Sequence, residues 1–296
     1  MDVGMKANNK LKLTGFMFIF PSLVFFLVFF FYPLLLCFVN SVSKTNLLLG
    51  TREFVGAKNF VNLFQRDAFK SSVIITLRFV AMSLPVIMVF DLFFANAISR
   101  LNGRANRFFT TVSFLPFMVS MVCAGIVWDW LLDPNLGLVN SFLHFIGVGG
   151  KPLWLRGPKS ALPSTLFITI WVRAPFGIMI LLGGMQNVPK ELYEVADLDG
   201  VGPFRRFFSI TLPLINSQLL LVFTLETIFA FRAFDQIYTS TGGGPGGATR
   251  TLMIYLIKDL FVNNYGIASA LTVLMLLVMF IVSFIQQMTV RRKVEY

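Results

Sequence analysis

The chain alternates long apolar runs with short charged segments, and the length of the runs indicates membrane-spanning helices. A hydrocarbon core of about 30 Å is crossed by about 20 apolar residues in a helix. No charged residue lies between Lys12 and Lys44, and none lies between Asp259 and Arg291. Similar runs, with few charges, recur between these two. The pattern predicts six spans, near 15–39, 72–97, 108–131, 163–187, 213–236 and 260–290.

Composition supports this interpretation. Hydrophobic residues make up 56% of the 296 positions, charged residues only 13%, and the mean hydropathy is +0.76. A soluble domain contains about 25% charged residues, because its surface is in water. We therefore expect an all-α integral membrane protein with six transmembrane helices.

The net charge of +11 would suggest a nucleic-acid partner in a soluble chain. A polytopic membrane protein instead concentrates Lys and Arg in its cytoplasmic loops. With both termini inside, the inner segments hold 12 Lys and Arg in 52 residues, and the outer segments hold 10 in 92. This asymmetry predicts cytoplasmic tails at 1–14 and 291–296, a transmembrane domain over 15–290, and no nucleic-acid partner. The first run is too long for a signal peptide, so we expect it to be retained.

Metal and disulfide chemistry have few residues to use. Cys37 and Cys123 both lie in apolar runs, and His144 is the one histidine of the sequence. We expect neither a metal site nor a cofactor in this chain.

The segment 188–213 has local signals for two short helices joined at a glycine. Pro189 suits the first turn of a helix, where Glu191 and Glu194 favour the positive end of the helix dipole. Gly200 is suited to a left-handed C-terminal cap, and Pro203 can start a second helix. This segment is referred to as the elbow.

The elbow also has an apolar stripe, formed by Leu192, Val195, Ala196 and Leu198. A loop without partners needs no such stripe. Its acidic residues argue against a position on anionic lipid, which would repel them. A partner protein is therefore the favoured interpretation.

The residues of the elbow resemble the "EAA" coupling loop of ABC-importer permeases. That pattern is Glu-Ala-Ala, a Gly four residues later, and then Ile-x-Leu-Pro. The spacing is intact over twenty residues, with Val195 in place of the first Ala. The matching positions are Glu194, Val195, Ala196, Gly200, Ile210, Leu212 and Pro213.

Three further segments are similar to carbohydrate-importer permeases. They are 235–255, which contains Gly-Gly-Gly-Pro at 242–245, then 266–270, and 54–60 in the first outer loop. The Gly-Gly-Gly-Pro stretch resembles the maltose-type first permease subunit rather than its partner permease.

The resemblance implies one half of a transmembrane heterodimer in a bacterial cytoplasmic membrane. A second six-helix permease subunit, an ATPase dimer and an extracytoplasmic solute-binding protein would be its partners, and a sugar or oligosaccharide its substrate. The chain has no Walker A sequence, so ATP and Mg would belong to the ATPase and this chain would not be an enzyme. The expected ATPase-coupling residues are Glu191, Glu194, Val195, Ala196, Asp199, Gly200, Ile210, Leu212 and Pro213.

Ionisable residues inside spans are costly and are therefore candidates for the substrate pathway. Arg232 and Asp235, three residues apart, can pair on one face of the fifth span. Glu226 lies on a different face and needs a partner from another helix, a partner subunit or the ligand. Arginines without partners would suit an anionic sugar, but they can equally pair with the second permease. Phe176 is three residues from Arg173 and is expected on the same helical face. The pathway candidates are Arg173, Phe176, Glu226, Phe231, Arg232, Phe234 and Asp235.

Two alternatives remain open, and a third is disfavoured. One is an ABC permease for a non-sugar solute such as a polyamine or a phosphate ester. Another is a gradient-driven secondary transporter that uses Asp91, Glu226 and Asp235, although no inverted repeat is detectable. A membrane-embedded enzyme is disfavoured, because the sequence lacks clustered His, Cys or paired carboxylates.

Overall fold

The computed structural model describes residues 2–46, 51–261 and 264–290, with only the backbone described at 2–13, 45, 46 and 290. The tail expected at 291–296 lies outside these ranges. The first helices and both strands are α1 Asp2–Phe26, α2 Tyr32–Ser41, β1 Ser43–Asn46, β2 Thr51–Phe54, α3 Lys58–Gln65, α4 Asp67–Ser99, α5 Gly103–Phe114, α6 Met121–Leu131 and α7 Leu138–Phe145.

The remaining helices are α8 Ala161–Gln186, α9 Lys190–Leu198, α10 Pro203–Arg206, α11 Leu212–Leu214, α12 Asn216–Phe231, α13 Asp235–Ser240, α14 Leu252–Ile254 and α15 Tyr265–Val290. Wider π-helical turns continue some of these helices at Leu27–Phe31, Phe207–Thr211 and Tyr255–Leu260. Short 3₁₀ turns occupy Leu115–Met118 and Trp154–Arg156.

Within the described ranges, five helical segments are long and apolar enough to cross a membrane. They are Thr14–Ser41, Asp67–Ser99, Ala161–Gln186, Asn216–Ser240 and Tyr265–Thr289. The count becomes six if the bent pair Gly103–Met118 and Met121–Leu131 forms one span. The mostly helical membrane architecture expected from the sequence is therefore confirmed.

The third span is not the straight helix that its uncharged run suggested. The two parts of the bent pair meet at an angle of 94°. Pro116 lies in the 3₁₀ turn that ends the first part, and Val119 and Ser120 are extended. Proline has no amide hydrogen to continue the helical ladder, so the helix ends there and restarts at Met121.

The fifth span is also interrupted, which corrects an expectation for its charged residues. Helix α12 begins at Asn216, after a break at Ile215, rather than at Pro213. It ends at Phe231, and Phe234 leaves the helical region with φ −140° and ψ −64° before α13 begins. Arg232 and Asp235 therefore lie on opposite sides of a break. Within the described ranges no ion pair joins them.

Contacts divide the chain into two compact units. One contains the described residues up to Arg66 together with Leu260–Leu276, and the other contains Asp67–Asp259 and the described residues from Leu277 onward. In the first unit, β1 and β2 pair antiparallel, with Ser43 opposite Phe54. The side-chain amide of Asn59 donates hydrogen bonds of 2.9 Å to the carbonyls of Ser41 and Ser43. A Cβ at Gly266 would lie 2.6 Å from the Ser43 carbonyl oxygen, so only glycine fits there.

The second unit contains the main apolar core, where α4, α8 and α12 meet. Ile87, Ala174, Leu181 and Val222 are each at most 2% exposed and belong to one cluster of packed side chains. This core holds in place the charged residues that lie within the spans.

Candidate functional site

A buried ion pair joins two of the spans in the second unit. Arg173 on α8 donates from Nη2 to Oε1 of Glu226 on α12 at 2.7 Å, and from Nε to Oε2 at 3.4 Å. The side chains are only 10% and 4% exposed. Glu226 thus finds its partner on another helix of its own chain, which the sequence left open.

Aromatic rings enclose the guanidinium of this ion pair. Its central carbon lies 3.5 Å from the centroid of the Phe229 ring and 5.2 Å from that of Phe176. Phe176 in turn stacks on Phe117, with centroids 5.8 Å apart. A cation over an aromatic face is attracted by the negative charge of the π system, most strongly where water is excluded. Phe176 was predicted near Arg173 from their helical spacing, whereas Phe229 was not assigned to it.

Asp91 on α4 is a third buried ionisable residue in this region. It is fully buried, and neither carboxylate oxygen has a hydrogen-bond partner among the described residues. It is close enough to interact electrostatically with both Arg173 and Glu226. Helix α8 approaches it at Gly177, where an added Cβ would overlap the Asp91 carboxylate. The sequence analysis named Asp91 for the gradient-driven alternative and did not predict this position beside the ion pair.

Two buried glutamines extend the polar interior. Gln236 donates to the hydroxyl of Thr169, and Gln286 donates to the hydroxyl of Thr227, each at 2.8 Å. Neither glutamine was assigned a role from the sequence, although Gln236 directly follows Asp235. They connect α13 to α8 and α15 to α12.

The other pathway candidates lie at the break after α12. Arg232 and Asp235 are exposed, and Phe231 is only 8% exposed. The ring of Phe234 stacks on Tyr238, with centroids 5.1 Å apart. In the described ranges no group of three or more His, Cys, Asp or Glu is arranged to bind a metal ion.

The elbow, residues 188–213, contains α9, a left-handed glycine and α10. Gly200 has φ +68°, a conformation that costs little for glycine and more for other residues. The amide of Gly200 donates to the Asp197 carbonyl, and that of Val201 donates to the Ala196 carbonyl. Pro189 precedes α9 as its N-cap rather than lying in its first turn.

Side-chain contacts connect the two arms of the elbow. Nη2 of Arg206 forms an ion pair with Asp197 and also donates to the carbonyl of Val201 at 3.0 Å. The hydroxyls of Tyr193 and Thr211 are 2.9 Å apart and share a hydrogen bond. These contacts hold the segments before and after Gly200 in one arrangement.

The two faces of the elbow differ in exposure. Tyr193 is half-buried and packs on the main core, while Ala196, three residues later on the same face, is 5% exposed. Ala196 is thus directed inward, away from the exposed stripe predicted to include it. Ile210 and Leu212 are half-buried, and the other predicted coupling residues are exposed: Glu191, Glu194, Val195, Asp199, Gly200 and Pro213.

The elbow also exposes several apolar side chains beside its acidic ones. Leu198 is 88% exposed and Phe204 is 77% exposed, and they are accompanied by exposed Leu192, Val195 and Phe208. Around Gly200 there is open space, because an added Cβ would meet no atom of the described residues within 4 Å. The exposed apolar side chains therefore lie next to a position where a neighbouring molecule could approach the backbone closely.

The glycine-rich segment 242–247 forms a compact loop in the same unit. The hydroxyls of Thr241 and Thr249 are 2.7 Å apart, and Lys258 donates to the Gly242 carbonyl at 2.9 Å. Gly243 has φ +93°, and an added Cβ would lie 2.9 Å from Ile254 Cγ2. The glycines border a small cavity of about 290 Å³ together with Arg250. No Lys-Ser/Thr pair follows them, so the loop is not a nucleotide-binding P-loop.

These features define a class: a polytopic helical membrane protein with a polar interior and an elbow that exposes apolar side chains. The chain belongs to the family of binding-protein-dependent transport system inner membrane components, whose sequence profile matches residues 11–295. The resemblance to importer permeases predicted from the elbow is thereby confirmed, as is the multi-pass membrane location.

Relatives match over nearly the whole chain. A trehalose/maltose transport system permease protein of Thermococcus litoralis is 33% identical over 93% of both chains. An sn-glycerol-3-phosphate transport system permease protein of Yersinia pestis is 30% identical over 95% of both chains. A chain from a bacterial ABC transporter "involved in the import of the acidic polysaccharide alginate" is 22% identical, covers 98% of this chain and 99% of its own, and superposes with a TM-score of 0.86.

Proposed function

We propose that this chain is the permease subunit of an ATP-driven importer for a sugar or oligosaccharide. It would work with a second six-helix permease subunit, two ATPase chains that bind ATP and Mg, and an extracytoplasmic binding protein. The supporting observation is the elbow: a rigid, outward-facing surface with exposed apolar side chains in a family member whose sequence has no Walker A motif. Energy would enter through this surface from another chain.

The substrate class follows from the relatives. The names of two similar proteins refer to carbohydrates: trehalose and maltose in one case, and alginate in the other. The relative named for sn-glycerol-3-phosphate supports a phosphate ester as the second candidate substrate. Sugar is the first choice, because the sequence motifs at 54–60, 235–255 and 266–270 also resemble carbohydrate permeases.

The pathway candidates fall into two groups with different proposed roles. Arg173 is already neutralised by Glu226 and enclosed by Phe229 and Phe176, so these residues would set the arrangement of the helices around the pathway. Arg232 is exposed and has no ion-pair partner among the described residues. With Phe231, Phe234 and Asp235 it would contact the substrate, and its charge would suit an anionic one.

The elbow would transmit the movement of the ATPases. The ion pair between Asp197 and Arg206 and the hydrogen bond between Tyr193 and Thr211 hold its two arms together. Closure of the ATPase pair would then move the elbow as one lever and change the helix bundle from inward-facing to outward-facing. In this arrangement the elbow and both termini are cytoplasmic.

Affinity purification from the native membrane in mild detergent, followed by mass spectrometry, tests the assembly. We expect a Walker-motif ATPase and a second six-span permease, with two ATPase chains per permease pair, and ATP hydrolysis stimulated by sugar-loaded binding protein. If the chain purifies alone or as a homodimer, and uptake depends on a proton or sodium gradient, the gradient-driven alternative is correct instead.

Two matched variants test whether the elbow is the ATPase contact. Leu198 and Leu136 are both 88% exposed, but only Leu198 lies on the elbow. Leu198→Glu should lose the ATPase from the purified complex, because it places a charge in an apolar contact. Leu136→Glu should retain it. Equal ATPase recovery from both variants would place the contact elsewhere.

A further inference from the structure

A second cavity lies on the inner side of the elbow, away from the buried ion pair. Its volume is about 640 Å³, within the usual range of small-molecule sites. It is bordered by the end of α4, the start of α5 and the residues of the elbow that connect α8 to α12. All of these segments belong to the second unit.

The lining of this cavity is strongly cationic. It contains Arg100, Arg107, Lys190 and Arg206, and none of its lining residues is Asp or Glu. Arg206 is paired with Asp197, but its Nε is buried and has no hydrogen-bond partner among the described residues. The other three cations have no ion-pair partner within the described ranges. Like charges gathered around one cavity repel each other unless an anion is present.

The N-terminal end of α5 contributes a further partial positive charge to the cavity. This helix runs for 12 residues from Gly103, and its N-cap residue, Asn102, makes no side-chain capping hydrogen bond. Both residues line the cavity. The first amides of a helix are unsatisfied donors at the positive end of the helix dipole, and phosphate groups bind at such positions.

We propose that this cavity binds a phosphate-bearing anion, either the headgroup of an anionic phospholipid or a soluble phosphate ester. The bound anion would contact Arg100 and Arg107 beside α5 and Lys190 and Arg206 on the elbow at the same time. It would therefore hold the elbow in contact with the turn between α4 and α5. The consequence for transport rests on the proposed function of the elbow, whereas binding itself does not.

Binding is measured on the purified full-length chain in neutral maltoside micelles, without the ATPase. The readout is the thermal unfolding midpoint, followed by tryptophan fluorescence, during titration at constant ionic strength. The soluble probe is sodium pyrophosphate. The lipid probe is dioctanoyl phosphatidylglycerol, and dioctanoyl phosphatidylcholine is its zwitterionic control. We expect at least one anionic probe to raise the midpoint and phosphatidylcholine to leave it unchanged.

Charge-matched variants locate the site. Arg107→Gln and Lys190→Gln should each weaken binding about tenfold, because each removes a charge-assisted hydrogen bond. Arg104→Gln is the control, since Arg104 lies on the same helix as Arg107 but does not line the cavity. These side chains are exposed, so the variants should fold, and Arg107→Lys should recover part of the affinity.

The outcomes separate the two sources and the two proposals. Stabilisation by pyrophosphate alone identifies a soluble ligand, and stabilisation by phosphatidylglycerol alone identifies a lipid. The proposal is overturned if neither probe binds, or if Arg104→Gln loses as much affinity as Arg107→Gln. The ATPase is absent from this assay, so a failure of both probes to bind would not contradict the proposed import function. Conversely, if the chain is found to purify without an ATPase, the anion site can still be tested.

Discussion

Arg173 on α8 and Glu226 on α12 form a two-point ion pair in the interior of the bundle, although 53 positions separate them in the chain. The contacts of 2.7 and 3.4 Å use two nitrogens of one guanidinium and both oxygens of one carboxylate. Such a pair fixes the distance and rotation of two helices relative to each other. Both side chains are buried, so either charge alone would be costly.

Removing one partner of this pair should be much more harmful than removing both. We expect Arg173→Met to lower the free energy of unfolding by about 3–5 kcal/mol, because it leaves Glu226 buried and unpaired. The double variant Arg173→Met/Glu226→Leu should recover most of that loss. Thermal unfolding in detergent checks the stability, and uptake by the assembled importer checks whether the pair has a role besides stability.

Arg232→Met is the matched control, because Arg232 is exposed and has no ion-pair partner in the described part of the chain. It should change stability by less than about 0.5 kcal/mol. If the separate losses of Arg173→Met and of Glu226→Leu simply add in the double variant, the pair does not act as a unit. An uptake defect in Arg232→Met without loss of stability would support its proposed contact with substrate.

Replacing Gly177 should destabilise the protein, whereas replacing Gly183 on the same helix should not. A Cβ at Gly177 would overlap the carboxylate of Asp91, whereas a Cβ at Gly183 would meet no atom within 4 Å. We expect Gly177→Ala to destabilise the protein by about 1–3 kcal/mol, as overpacking does. Gly183→Ala should be neutral or slightly stabilising, because alanine favours helix. Asp91→Ala should rescue Gly177→Ala, and a lack of rescue would show that the close approach involves more than Asp91.

A bulky side chain at Gly200 should abolish transport. Gly200→Ala and Gly200→Trp share the strain of a left-handed backbone, about 1–2 kcal/mol, but only tryptophan fills the open space outside the elbow. Gly200→Trp should therefore abolish uptake while the chain still inserts into the membrane, and Gly200→Ala should retain most of it. Uptake and membrane content are measured on the same vesicles. Normal uptake by Gly200→Trp would contradict a coupling contact at this position.

The spans and the elbow were predictable from the sequence because their signals are local. An uncharged run long enough to cross the bilayer, or a glycine between two prolines, depends only on neighbouring residues. The 94° bend in the third span was missed because the run around it is continuous in hydropathy, although Pro116 is a signal that could have marked the break.

The contacts of the buried charges were not predictable in the same way. Helical spacing placed Phe176 beside Arg173, but nothing in a single sequence selects Glu226 rather than Asp91 or Asp235 as the partner of an arginine on another helix. The expected pair of Arg232 and Asp235 was wrong because it assumed an unbroken helix, whereas α12 ends at Phe231. Local rules give the face of a helix, and only the packing of α4, α8 and α12 determines which faces meet.

The ion pair between Asp197 and Arg206 should matter for coupling more than for stability. Asp197 is largely exposed, so the pair contributes only about 0.2–1 kcal/mol to folding. Asp197→Asn removes its charge but leaves Arg206 bonded to the Val201 carbonyl, which loosens one of the contacts between the elbow arms. We expect ATP hydrolysis to continue while the sugar taken up per ATP falls. Asp199→Asn separates charge from rigidity: Asp199 is itself a predicted coupling residue, but it is exposed and has no ion-pair partner among the described residues, so the variant removes the same charge without loosening the arms. An equal fall in both variants would mean that negative charge on the elbow, rather than its rigidity, determines coupling.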